Sequence, residues 1–144
     1  MAGTWRRFVS RLFDDAVFGP PSTPQEIDAA ERQLKVNLPE ELRSLYLETN
    51  GVRAHYGTSM VWSVAQLVAQ NSSFRTGPEF ATLYMPFDNL LFFGEELNGD
   101  QFAYRILAGK IDSLDIFEWD HETDSRVWFA RDLRDYFQRS VPQE

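Results

Sequence analysis

The feature that most constrains the fold is a change in the spacing of apolar residues near residue 50. Before Asn50 these residues recur at intervals of three and four, which is the spacing of one helix face. After Gly51 they alternate or form short runs, which is typical of β-strands. A helical spacing returns over 131–140. This order predicts one α+β domain over residues 1–144, with N-terminal helices and one C-terminal helix packed on a mainly antiparallel sheet.

Three helices are predicted in the first part of the chain. The first spans Trp5–Phe18 within an extra N-terminal segment, residues 1–20, and a glycine followed by two prolines stops it. The second begins at Thr23, which forms a capping box with Glu26. The third begins near Pro39 and ends at Asn50-Gly51, two residues that tolerate the left-handed backbone conformation closing many helices.

The second part of the chain predicts strands and a hairpin. A turn or two of helix is predicted over Val64–Asn71 and a loop over Ser72–Pro78. Asn98-Gly99 lies between two apolar strands and accepts the positive φ angles of a tight turn. We therefore assign Gly94, Asn98 and Gly99 to backbone geometry. The predicted strands are Met60–Trp62, Leu83–Met85, Leu90–Phe93, Gln101–Leu107, Asp115–Trp119 and Val127–Phe129.

Charge is concentrated in one segment. Residues 88–124 hold ten acidic and two basic residues, a net charge of −8 that equals the net charge of the whole chain. Such a segment repels phosphate backbones and attracts basic proteins, so it predicts a protein partner and no direct nucleic-acid binding. Seven acids are candidate partner-binding residues: Glu95, Glu96, Asp100, Glu118, Asp120, Glu122 and Asp124.

Catalytic and metal sites receive little support from the residues. Gly94 and Gly99 have the spacing of a phosphate loop but lack the following lysine. Asp120, Glu122 and Asp124 alternate and form the best metal candidate, although solvated turn residues explain them more simply. His55 and His121 have no metal-spaced partner and the chain has no cysteine. No catalysis, metal or cofactor is predicted.

Membrane insertion and export are not predicted. Apolar residues of the first fifteen positions are spaced apart, whereas a secretory signal has an unbroken apolar core. No apolar run approaches the length of a membrane span. A cytoplasmic location and no membrane partner are expected.

An ordered set of motifs resembles the SUKH superfamily, the Smi/Knr-like proteins. The resemblance covers about residues 21–137, within a predicted family core of residues 21–140. The N-terminal segment lies outside the usual core of that family, and residues 72–86 show little similarity to it. The matching residues are Thr23, Pro24, Glu26, Ile27, Glu31, Leu38, Pro39, Leu42, Asn50, Gly51, Phe93, Gly94, Asn98, Gly99, Asp100, Phe102 and Ala103, followed by 115–122 and 133–137.

The resemblance implies helices packed on a mixed sheet and a function without catalysis. Many bacterial members resemble immunity proteins that bind polymorphic toxins, often nucleases, and others are regulators. The leading hypothesis is an immunity protein that neutralises a basic toxin domain through its acidic segment. The alternative is a regulatory or scaffold protein with an endogenous partner. A remote alternative is a glycoside hydrolase that uses a carboxylate pair such as Glu118 and Glu122.

Overall fold

The structure is a computed structural model that describes residues 4–76 and 89–141. The predicted strand Leu83–Met85 lies outside these residues. Five helices are formed in the described part of the chain: α1 (Thr4–Leu12), α2 (Pro24–Leu34), α3 (Glu40–Glu48), α4 (Val64–Thr76) and α5 (Leu133–Ser140).

The strands form two antiparallel sheets. A three-stranded sheet has the order β1 (Val17–Phe18), β2 (Val52–Ala54) and β3 (Thr58–Val61). A four-stranded sheet has the order β4 (Leu90–Glu95), β5 (Gln101–Arg105), β6 (Ile116–Trp119) and β7 (Arg126–Ala130). These sheets and helices confirm the predicted α+β class. Every strand pairing among the described residues is antiparallel.

Local signals placed two elements correctly. Thr23 accepts a hydrogen bond from the Glu26 N–H at 3.1 Å, and the Glu26 carboxylate accepts one from the Thr23 N–H at 2.9 Å. This is the predicted capping box of α2. The predicted hairpin is also present, because β4 and β5 pair across the turn that contains Asn98 and Gly99, with a register shift between Phe92 and Gly94.

The predicted first helix is too long. Helix α1 ends at Leu12. Val17–Phe18 instead forms a strand that pairs with β2, and the sequence pattern predicted neither of these two strands. The side chain of Asp15 accepts hydrogen bonds from the N–H groups of His55 and Tyr56. These contacts with a turn far away in the sequence position Val17–Phe18 beside β2, so tertiary pairing overrides the local helical pattern.

The predicted loop over Ser72–Pro78 is wrong for Ser72–Thr76, which continue helix α4. The buried Asn71 amide donates to the Phe92 carbonyl at 2.8 Å, and its oxygen accepts from the Phe92 N–H at 2.9 Å. Phe74 packs against Phe92 with ring centroids 4.9 Å apart. Contacts with β4 therefore stabilise a serine-rich stretch as helix.

The third helix ends at Glu48, two residues before the predicted stop at Asn50-Gly51. Gly51 has a φ of +99°, and a side chain there would lie 2.9 Å from the Val61 carbonyl oxygen. Asn50 does not close α3. Its side-chain oxygen accepts a hydrogen bond from the Val64 N–H at the start of α4.

The two sheets meet where β3 approaches β4. The Trp62 backbone N–H donates to the Phe93 carbonyl at 2.7 Å. A Cβ on Gly94 would overlap the Met60 carbonyl oxygen, so this glycine permits the close approach of the two backbones. The main core lies between the helices and one face of the four-stranded sheet, and a smaller aromatic core around Trp62, Phe92 and Trp119 lies on the other face.

No helix within residues 4–76 and 89–141 combines the length and apolar character needed to cross a bilayer.

Candidate acidic binding face

Antiparallel pairing brings two loops to the same end of the four-stranded sheet. The register aligns Glu95 with Gln101, Gln101 with Trp119, and Trp119 with Arg126. The β4–β5 loop and the β6–β7 loop therefore emerge side by side, while the β5–β6 loop lies at the opposite end. We call the end of the sheet that carries the β4–β5 and β6–β7 loops the acidic end. It contains Glu95, Glu96, Asp100, Glu118, Asp120, Glu122 and Asp124.

The β4–β5 loop is built by backbone geometry. Gly99 has a φ of +92°, and its N–H donates to the Glu96 carbonyl at 3.0 Å. The Asn98 side-chain oxygen accepts the Asp100 N–H at 2.9 Å, which forms an Asx turn. The Glu96 N–H donates to the Asp100 carbonyl at 2.8 Å. This local network turns the Asp100 carboxylate back toward the sheet, where the residue is buried.

Three carboxylates converge at the acidic end. One oxygen from each of Glu96, Asp100 and Glu118 lies within 4.8 Å of the others. The pKa of Glu118 is raised to about 8, first by burial and then by hydrogen bonds and negative charge from Glu96 and Asp100. Like charges at this separation resist full ionisation, so the cluster holds a proton near neutral pH.

His121 links the two loops. Its Nδ1 lies 2.9 Å from the Asp100 carboxylate, and its backbone N–H donates to the same oxygen at 3.3 Å. The His121 ring lies against Gly99, where a Cβ would be 3.3 Å from the ring. Spacing along the sequence had given His121 no partner, because Asp100 comes from the other hairpin.

The predicted metal candidate is not assembled as expected. Asp120 groups with Asp100 and His121, whose ligand atoms lie within 4.8 Å of one another. The Glu122 side chain is 79% exposed, and Asp124 is engaged elsewhere. Carboxylate oxygens and an imidazole nitrogen are chemically able to hold a divalent cation.

Three of the seven acids stabilise the fold around them. Glu95 accepts a hydrogen bond from the Trp62 indole N–H at 2.9 Å. Asp124 accepts one from the Trp119 indole N–H at 2.7 Å and forms an ion pair with Arg126 at 3.1 Å. The remaining acid of this kind, Asp120, accepts the Glu122 N–H at 2.8 Å and closes its own turn.

The other four acids divide into two groups. Asp100 and Glu118 are partly enclosed within the cluster, whereas Glu96 and Glu122 are exposed. Charge reversal at Glu122 would therefore alter the exposed surface, and charge reversal at Glu96 would in addition replace its hydrogen bond and repulsion with Glu118 by attraction.

A sequence model of one family matches most of the chain. That family is described as SUKH_6, SMI1-KNR4 cell-wall, and the match covers residues 24–137. The chain belongs to the SUKH superfamily. No curated protein matches this SUKH protein. The matched region contains every strand of the four-stranded sheet and the whole acidic end, while α1 and β1 precede it.

A small recess beside the acidic end of this SUKH protein was missed by sequence reasoning. The recess has a volume of about 40 Å³, and His55 and Thr58 line it together with Glu95 and Glu96. Tyr136 lies at the same recess and donates its hydroxyl to the Met60 carbonyl at 2.8 Å. Burial raises the Tyr136 pKa well above its usual value, and the charges of Glu96, Glu118 and Glu95 add to this shift.

The recess could not be found from spacing because its walls come from the β2–β3 turn, β4 and α5. The available signal was Gly57 directly after His55 and Tyr56, which marks a tight turn between Val52 and Met60. That signal indicates a turn but does not show which strand end faces it.

Proposed function

We propose that this SUKH protein is a non-catalytic immunity protein that binds and neutralises a basic, nuclease-type toxin domain through its acidic end. The observation that carries the proposal is the convergence of Glu96, Asp100 and Glu118 on one another, next to the exposed Glu122. A cationic partner would relieve the repulsion within this cluster.

Charge supports a basic protein as the partner. Nucleases hold nucleic acid through positively charged surfaces, because most of the binding free energy comes from phosphate contacts. An acidic surface steers such a protein by long-range attraction and raises the association rate. Docking at the acidic end would place carboxylates where the toxin otherwise binds phosphates, so nucleic acid and this protein would compete.

The shape of the acidic end supports binding to a macromolecule in preference to small-molecule chemistry. Its recess measures about 40 Å³, whereas small-molecule sites commonly measure about 300–1,000 Å³. Glu96 and Glu122 lie at the surface, in the β4–β5 and β6–β7 loops. An open, charged surface of this kind is suited to a protein interface whose rim is polar.

Charge-reversal variants with a matched control test the proposal. The test variant carries Glu96→Lys and Glu122→Lys. The control carries Glu40→Lys and Asp112→Lys, which change two exposed acids away from the acidic end and give the same net charge. Each tagged full-length protein is used to capture partners from its native cells, and each captured protein is identified, purified and titrated by calorimetry.

We expect the wild type and the control to retain a basic toxin domain and to suppress its nuclease activity. The test variant should bind that domain at least ten-fold more weakly and leave it active. Retention of the same non-toxin partners by all three proteins would contradict the proposal and favour a regulatory or scaffold role. Equal losses in the test and control variants would show that net charge, not the acidic end, determines binding.

A further inference from the structure

The turn between β2 and β3 presents an aromatic ring to solvent. Tyr56 is 81% exposed, the highest value among the large apolar side chains that are exposed in the described part of the chain. Tyrosine combines an apolar ring with a polar hydroxyl and loses little conformational entropy when it is immobilised, so it is frequent in binding interfaces. A ring this exposed contributes little to the core.

The backbone of this turn has an unusual conformation. His55, Tyr56 and Gly57 have successive φ values of +53°, +65° and +77°, in the left-handed region that residues with side chains rarely adopt. Asp15 holds the turn, because its carboxylate accepts the His55 N–H at 3.0 Å and the Tyr56 N–H at 2.7 Å. These two bonds are the main causes that lower the Asp15 pKa.

A turn fixed in this way presents Tyr56 in a preorganised position. A binding surface that is already ordered loses less conformational freedom on association. Backbone conformations that are rarely populated persist when the surrounding structure holds them, and they are concentrated at functional sites. The Asp15 contacts supply that support from a separate part of the chain.

The turn borders the acidic end. His55 and Thr58 form one side of the recess, and Glu95 and Glu96 form another. The rings of His55 and Tyr56 lie 5.1 Å apart between centroids. Tyr56 is thus next to a wall of the recess whose other side carries carboxylates, so one partner could contact both.

We propose that Tyr56 is a contact residue for the partner and packs its ring against an arginine side chain of that basic protein. A guanidinium placed over a tyrosine ring gains a cation–π interaction, and its charge is attracted by the neighbouring carboxylates. The inference rests on the proposed function, because it takes a basic protein as the partner. It adds an aromatic contact that the acidic residues do not supply.

A hexa-arginine peptide serves as a defined probe. The isotope-labelled full-length protein is titrated with the peptide at low salt, and the dissociation constant is measured from NMR chemical-shift changes. The variants are Tyr56→Asn, which removes the ring while tolerating a left-handed backbone, and Tyr56→Phe, which keeps the ring. Thermal unfolding checks that each variant is folded.

We expect Tyr56→Asn to weaken binding of the peptide about three-fold or more, and Tyr56→Phe to bind as the wild type does. The Tyr56 ring signals should shift together with the amides of Glu96 and Glu122. Unchanged affinity of Tyr56→Asn, with clear weakening in the Glu96→Lys/Glu122→Lys variant, would overturn this inference and leave the proposed function standing.

The same titration separates failure of the proposed function from failure of the inference. If the Glu96→Lys/Glu122→Lys variant and the Glu40→Lys/Asp112→Lys control lose the same affinity, the peptide responds to net charge alone. That outcome, or the absence of measurable binding, would overturn both proposals.

Discussion

Two carboxylates of the helical region and the three clustered carboxylates of the acidic end have different surroundings. Glu48 accepts the backbone N–H groups of Trp5 and Arg6 at the start of α1, at 2.8 and 3.2 Å. Glu41 accepts the Tyr104 hydroxyl and the Leu133 N–H. In the helical region, carboxylates therefore join separate elements by meeting hydrogen-bond donors. At the acidic end, Glu96, Asp100 and Glu118 instead converge on one another.

This difference shows that one residue type supports stability in one region and opposes it in another. A buried donor that meets a carboxylate is satisfied, whereas two carboxylates in contact repel unless they share a proton. Natural proteins tolerate destabilising groups where binding or activity uses them. The four predictions below test this contrast through stability, beginning with the largest expected effect.

Replacement of Glu41 should produce the largest loss of stability. The carboxylate accepts the buried Tyr104 hydroxyl at 2.7 Å and the Leu133 N–H at 3.0 Å, so it joins α3 to β5 and α5. Glu41→Ala leaves both donors without this acceptor, and we expect the free energy of unfolding to fall by about 2–4 kcal/mol. Urea denaturation measures the change.

Glu41→Gln is the matched control, because its amide oxygen remains an acceptor. It should lose less than half as much stability as Glu41→Ala. A Glu41→Ala protein within 0.5 kcal/mol of the wild type would show that the carboxylate does not join these elements, and the contrast between the two regions would fail.

Replacement of Glu118 should reveal the repulsion at the acidic end through its pH dependence. The folded-state pKa of about 8 lies above the ordinary value of 4.5, so between these values the folded protein holds more protons than the unfolded chain. Stability contributed by this group is present at low pH and is lost as the pH rises toward 8. Glu118→Gln removes that loss, which we expect to be on the order of 1–2 kcal/mol because solvent screens this partly exposed side chain.

Urea denaturation of both proteins at pH 5.5 and 8.5 gives the required comparison. The free energy of unfolding should fall further in the wild type than in Glu118→Gln over this interval. Parallel changes in the two proteins would show that Glu118 does not carry the shared proton. Glu122→Gln, with an exposed side chain, should follow the wild type.

The contrast between the regions explains which features sequence could predict. Thr23 with Glu26, and Asn98 with Gly99, are neighbours along the chain, so their capping box and turn were found from local spacing. Surroundings of individual carboxylates depend on distant residues. The Glu41 carboxylate, for example, accepts a hydrogen bond from the hydroxyl of Tyr104, which is 63 residues away in the sequence.

Partners at such separations also explain the missed features. Strand β1 forms because Val17 pairs with Arg53. The carboxylate cluster forms because the folded sheet brings together Asp100 and Glu118, which lie far apart in the sequence. The acidic segment as a whole was visible in the sequence. Its division into acids that stabilise the fold and acids that face solvent required the register of the sheet.

Removal of Arg43 should have a moderate effect on the helical region. Its guanidinium lies 2.9 Å from Asp28 and 3.2 Å from Glu31, and all three side chains are partly exposed. Partly exposed ion pairs contribute little, so we expect Arg43→Met to lower the free energy of unfolding by about 0.5–1 kcal/mol. The measurement is urea denaturation at 0.1 and 1 M NaCl.

Added salt should reduce the difference between wild type and Arg43→Met, because ions screen the pairs. Arg32→Met, at an exposed arginine of α2, is the control and should change stability by less than half as much. A loss that is independent of salt would assign the effect to packing of the arginine stem.

Replacement of Glu122 should have the smallest effect on stability and therefore sharpens the contrast most directly. Its side chain is 79% exposed, and its carboxylate lies 4.0 Å from the His121 imidazole. Glu122→Gln should keep the free energy of unfolding within about 0.5 kcal/mol of the wild type, while weakening hexa-arginine binding in the same buffer. Glu41→Gln should show the reverse, with reduced stability and unchanged peptide affinity. A loss of more than about 1 kcal/mol in Glu122→Gln would place Glu122 among the acids that support the fold, and the acidic end would then lose one of the two exposed acids proposed to contact the partner.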